Sequence, residues 1–251
     1  MDAIYPVLSG ALAQEKRLEV ITNNLANINT AGFKKDHPLF EAIGLPSGPS
    51  AGPSGSIAPG PTFESLHRVF TDLSSGPIRV TGEPLDIAIE GDGFFSVQTP
   101  AGVRYTRGGN FTIDAQGQIT THDGFPLLGT GGPITLPPGS VQIDAEGRLS
   151  VKGTEVGAQP IEIDTLALYR FSDPSRLRKV GQTLFEAEEG GAIPFLEGRM
   201  HQGALEGANV HPVEEMVAMM TVMRLYESAQ KAIQTADEIA AKAANEVGRL
   251  S

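Results

Sequence analysis

Residues 213–247 contain neither glycine nor proline, although the 251-residue chain holds 30 glycines and 18 prolines. That is roughly one position in five, where an average chain has about one in eight. A stretch so long without a breaker reads as a helix, and the breakers crowded elsewhere read as turns between short strands. Inside the stretch, Met219, Val222, Tyr226, Ala229, Ile233, Ala236, Ala240, Ala243, Val247 and then Leu250 follow one another at spacings of three and four. This is the apolar seam of a coiled-coil-like helix, with several alanines that let a partner backbone come close. Pro212 suits a first helical position, and Glu214 and Glu215 suit the positive first turn.

The same helix carries more apolar surface than one partner can cover. Met216, Val217, Met220, Met223 and Leu225 make its first half apolar on a second face. An isolated helix is marginal in water, so this one needs several neighbours. The chain offers one other long helix. At the N-terminal end Ile4, Leu8, Ala11, Leu12, Leu18, Ile21 and Leu25 fall on one stripe, with Pro6 near the start and Gly32 beyond the end. Some neighbours are therefore expected from other copies or other subunits; the alternative is a helical hairpin packed on its own domain.

Between these ends the texture changes. Residues 45–61 are almost wholly proline, glycine, serine and alanine and cannot build a core. A G-x-S-x-G match around Ser50 lies inside this tract, where the strand and helix of a nucleophile elbow cannot form. Residues 63–203 read as β structure. Leu85 to Glu90 alternate with period two, and IDAQGQI at 113–119 returns as IDAEGRL at 143–149. Each copy reads as a hairpin whose aspartate hydrogen-bonds its own turn and whose glycine closes it.

Composition excludes several classes of chemistry. With no cysteine there is no disulfide, zinc–thiolate site, iron–sulfur cluster or thiol nucleophile. A net charge of −11 argues against a nucleic-acid surface. No apolar run is long enough for a membrane span. The five histidines, at 37, 67, 122, 201 and 211, have no metal-ligand spacing. Asp2 and the charged residues from Glu15 to Arg17 do not fit a cleaved leader. No cofactor, metal or catalytic residue is expected.

The densest local signal is NNLANINTAGFK at 23–34. Asn29 and Gly32 suit a helix C-terminus. Asn23 and Asn24 lie where asparagine is a poor helix former, so their amides are expected to act across a helix contact. With Leu25, Asn27 and Phe33, this segment resembles the N-terminal signature of the flagellar basal-body rod and hook protein family. GEPLDIAIEGDGFF at 82–95, continuing to YTRGGNF at 105–111, is similar to that family's central signature. GALEGANV at 203–210 is similar to its C-terminal one, with Ala208 where the family usually has serine. Residues 131–139 are most similar to the proximal-rod member, with the distal-rod member as the alternative.

The resemblance implies an α+β fold: paired long terminal helices, coiled-coil-like, flanking a central all-β domain of short strands and hairpins. Residues 1–36 and 208–251 would form the helical core, 37–62 an extended linker and 63–207 the β domain. It further implies a structural subunit that polymerises head-to-tail, with copies of itself and neighbouring rod proteins as partners. Export would run through the flagellar type III apparatus, with no membrane insertion. The interaction residues expected are the Asn23–Phe33 signature positions named above and the seam from Met219 to Val247. A secreted adhesin-type module is the remaining alternative class.

Overall fold

The computed structural model describes residues 4–44, 62–153, 155, 159–173, 176–187, 191–195 and 198–249. The low-complexity tract with its G-x-S-x-G match, and Leu250, lie outside the described residues. The chain divides into two compact units, one of residues 1–26, 36–70 and 211–251, the other of residues 27–35 and 71–210.

The first unit is built on helices α1, Ile4–Ala26, and α2, Pro212–Arg249, which pack on each other. At 1.5 Å per residue they are about 35 and 57 Å long. Among the side chains described, Ala11, Ala13, Ile21 and Asn24 of α1 and Glu215 and Val222 of α2 are buried. Met219, Tyr226, Ala229, Ile233 and Ala236 continue the α2 face, half-buried. The strands Asp36–Gly44 and Thr62–Thr71 pair with each other. The Arg17 guanidinium of α1 stacks over the Phe40 ring, 4.3 Å from its centroid.

This corrects the expected fold class. The structure has one helix at each end of the chain and a large β-rich region, and the coiled-coil-like pairing is not supported. Leu8 and Leu12, placed on the α1 stripe by their spacing, are 45% and 54% exposed. Along the α2 seam, Val222 alone is buried among the side chains described; those of Ala240, Ala243 and Val247, like that of Ile4, lie outside them. Knobs-into-holes packing needs large side chains filling four-residue holes. Here the buried side chains are few and mixed: Ala11, Ala13 and Ile21 on one helix, Val222 on the other, and a polar pair, Asn24 with Glu215.

The second unit is antiparallel. Its largest sheet runs Leu177–Val180, Leu184–Ala187, Gly102–Thr106, Phe94–Thr99, Leu168–Phe171, Ala192–Pro194 in spatial order. Alternate residues of these strands face two ways. Phe95, Val97 and Leu168 point into a core with Ile87, Ile119, Leu127, Leu149 and Met200. Phe94 and Phe185 lie on the other face in an edge-on pair, centroids 5.7 Å apart. Strands from the two ends of the unit also pair: Ile78–Val80 with Ala204–Glu206, and Ile87–Glu90 with Arg199–Gln202.

The internal echo is a repeated turn. Asp114 Oδ1 accepts from the amides of Gln116 and Gln118 at 2.9 and 2.8 Å; Asp144 Oδ1 accepts from Glu146 and Arg148 at 3.1 and 2.8 Å. Gly117 and Gly147 both have φ of 83°, which a side chain would resist. The flanking residues pair in the same way, Ile113 with Ile119 and Ile143 with Leu149.

Burial pushes the Asp144 carboxyl up, but the Arg148 side chain at 2.7 Å and the two amides outweigh it and hold the pKa below the usual carboxylate value. A carboxylate so depressed contributes stability above its unfolded pKa and loses that contribution as pH falls through the folded one. The difference in melting temperature between wild type and Asp144→Ala is expected to be full at neutral pH and to shrink below about pH 4. Melting curves followed by circular dichroism across that range would check it.

Candidate functional site

Three charged side chains are buried together in the β unit. Lys34, Arg107 and Glu206 are each at most 2% exposed. Glu206 Oε1 accepts from Lys34 Nζ at 2.7 Å and from the Gly76 amide at 2.8 Å, while Oε2 accepts from Arg107 Nη1 at 3.2 Å. Two further donors find backbone oxygens, Lys34 Nζ reaching Ser74 O at 2.6 Å and Arg107 Nη2 reaching Gly91 O at 2.5 Å, while Arg107 Nε is buried with no hydrogen-bond partner among the described residues. Arg107 also lies over the Phe94 ring, 5.0 Å from its centroid. Burial lowers the pKa of both cations, and the Glu206 carboxylate opposes that shift in each case.

The segments around the cluster are shaped to reach it. Gly32 has φ of 69°, and a Cβ there would run into the backbone of Arg107 and Gly108. Its amide donates to Glu206 O at 2.8 Å. Phe33 is fully buried against Ala208, Val210 and Ile28, with Lys179 Nζ 3.8 Å from its ring centroid. Ala208, where a serine was the family expectation, therefore fills an apolar seat. Asn209 acts as a second stitch, its Oδ1 taking the Lys35 amide at 2.7 Å and its Nδ2 donating to Asp72 O at 2.9 Å.

The other expected residues separate into two groups. Asn24 is buried, and its Nδ2 donates to Asp36 O at 2.9 Å while its Oδ1 accepts the Asp36 amide at 3.0 Å. It thus holds α1 to the start of the strand that follows. Asn27 accepts from Thr30 Oγ1 at 3.2 Å in the turn after α1. Asn23 and Asn29 are exposed, and Leu25 is half-buried. On α2 the exposed residues Val213, Met216, Val217, Met220 and Met223 recur at helical spacing on a second face, beside that of Glu215, Val222 and Tyr226.

Lys34, Arg107 and Glu206 were missed by sequence reasoning as a cluster. Their signal was faint: Arg107 and Glu206 are lone charges in TRGG and LEG, and Lys34 is one of two adjacent lysines in GFKKD. Among the described residues no group of three or more His, Asp or Glu is placed to hold a metal ion, and no helix is long and apolar enough to cross a membrane.

Two cations share one carboxylate, so the three positions are not equivalent. Removing the acid strands two buried charges, whereas removing the lysine leaves a balanced pair. Glu206→Gln is expected to destabilise the β unit by about 3–5 kcal/mol, and Lys34→Met by clearly less. Urea unfolding monitored by tyrosine fluorescence measures both; equal losses would contradict this division of roles.

The comparisons with known proteins fall on the same segments. The flagella basal body rod protein family matches residues 4–34, the flagellar hook protein FlgE/F/G D1 domain residues 88–151, and the flagellar basal body rod FlgEFG protein C-terminal family residues 201–246. Each match supplies one member of the buried triad. The rod protein FlgG of Borreliella burgdorferi is 36% identical, over 95% of this chain and 96% of its own length. FlgF of Caulobacter vibrioides is 32% identical over 100% and 99%, and FlgG of the same bacterium 34% identical over 95% and 97%. With similarity that runs from end to end of both chains, this chain belongs to the flagellar basal-body rod protein family and is a structural subunit of the rod.

Proposed function

We propose that the chain joins the rod through its terminal helices, adding head-to-tail onto copies of itself and onto neighbouring rod proteins, after export through the flagellar type III apparatus. Contacts between unlike surfaces do not close on themselves, and so they extend a shaft. The reading assigns no catalytic step. Its work is mechanical: to hold position under torque. A proximal place in the rod is favoured by residues 131–139, while relatives named FlgF and FlgG match at similar identity.

The observation that carries this reading is the apolar stripe of Val213, Met216, Val217, Met220 and Met223. It is exposed on a face of α2 beside the one that carries Glu215, Val222 and Tyr226. Exposed Leu8 and Leu12 give α1 an apolar strip of its own. Methionine packs against many shapes, which suits a subunit that meets several different neighbours. Asn23 and Asn29, also exposed, can add amide hydrogen bonds that set register. Of the seam, Ala236 and the positions beyond it, Ala240, Ala243 and Val247, are proposed to serve the same docking.

Charging the stripe tests this. Met216→Glu with Met220→Glu is expected to abolish swarming and to leave the chain out of purified basal bodies. Both positions are exposed, so the purified variant should keep the melting temperature of its β unit. Normal swarming with normal basal-body content would refute the proposal.

A further inference from the structure

Several strands of the β unit lie at sheet edges, and two of them stand out for their exposed side chains. Ile78–Val80 pairs only with Ala204–Glu206, and Pro160–Thr165 is the outer strand of a three-stranded sheet. Thr165 O accepts the Thr130 amide at 2.9 Å, so the open part of the second edge is its first half. Among the described residues no strand covers either edge. Both edges also carry β-branched side chains in water. Val80 is 88% exposed and Ile161 63%. An uncovered edge with apolar side chains invites pairing with another chain, which soluble proteins generally avoid.

The two edges match each other in sequence. Ile78-Arg79-Val80 and Ile161-Glu162-Ile163 each place one charge between two β-branched residues, and the charges are opposite. Laid antiparallel, Arg79 faces Glu162 and Val80 faces Ile161; Ile163 is the extra residue of a bulge, packs on the core and takes no part. Both cross-strand pairs are then of a favourable type. Either edge laid on its own kind would set arginine against arginine or glutamate against glutamate, which is destabilising. The charges thus select the opposite edge and reject self-pairing.

We infer that the Ile78–Val80 edge of one copy takes up the Pro160–Thr165 edge of a second copy as an added strand. This makes a heterologous contact between β units, separate from the helical one. The inference rests on the proposal that copies of this chain meet in the rod. It gives the β unit a part in assembly: main-chain hydrogen bonds supply affinity, and the charge pair supplies direction.

The absence of cysteine makes the test clean. Cells would co-express two forms of the full chain, one Arg79→Cys and one Glu162→Cys, both substitutions at exposed positions. Basal bodies would be purified, oxidised mildly and digested, and linked peptides identified by mass. The 79–162 heterodisulfide is expected at about tenfold or more over either homodisulfide. Homodisulfides in equal amount, or no disulfide in basal bodies that do contain both forms, would overturn the inference. If the wild-type chain itself is missing from basal bodies, it is the rod-docking proposal that fails instead. A second arm uses charge: Arg79→Glu and Glu162→Arg are each expected to reduce swarming at least about threefold, and the double exchange to restore it. A double exchange as impaired as either single variant would also overturn it.

Discussion

One carboxylate, Glu206, holds the β unit together from both ends of its sequence. It binds Lys34 from the segment after α1, Arg107 from the middle and the Gly76 amide from the strand leader. These groups lie up to 172 residues apart in sequence, as Lys34 and Glu206 do. Water cannot replace any of them where they sit, because all three charged residues are essentially sealed. In such a place an unpaired charge costs several kcal/mol, so the three segments stand or fall together. The neighbouring glycines follow from the same requirement. At Gly32, Gly76 and Gly109 a Cβ would meet backbone, of Arg107, of Gly207 and of Ile87, so the strands can close around the cluster only without side chains there.

A buried ion cluster is a poor source of net stability, since the desolvation of its members offsets most of their attraction. Its value lies in specificity. Phe33, Ala208 and Val210 could pack in more than one register with little loss, but Lys34 Nζ must find both Ser74 O and Glu206 Oε1. The cluster selects one register for the crossing segments. Asn24 does the same on the helical unit, where it binds both backbone groups of Asp36 while touching Glu215 on α2.

Much of this was legible before any coordinates, and the limits follow from range. Helix α2 could be read because a long absence of glycine and proline is a local fact. The repeated turns could be read because Asp114 and Asp144 bond residues two and four positions on. In the asparagine-rich segment, Asn24 reaches the Asp36 backbone as well as the other helix, a bond across 12 positions that spacing alone does not reveal. The buried triad was invisible for a stronger reason: nothing in GFKK, TRGG or LEG says which charge meets which. The coiled-coil pairing failed because periodicity reports which residues share a face, and not whether large side chains of a second helix fill the holes on it.

The distribution of apolar surface then explains why a rod subunit needs two kinds of unit. The β unit buries its large side chains in a closed core from Ile87 to Met200, and locks that core with charges and positive-φ glycines. Among its described residues the large apolar side chains of the core are covered. The helical unit is the reverse, with leucines left in water on α1 and valines and methionines on α2, and only a few side chains buried, among them Ala11, Ala13, Ile21, Val222 and the Asn24–Glu215 pair. Stability is thus concentrated where the fold must be unique, and unsatisfied surface on the helices through which we propose that subunits join. A shaft that transmits torque needs both properties in every subunit, because a rigid body without adhesive ends would not assemble and adhesive ends without a rigid body would not hold their angle.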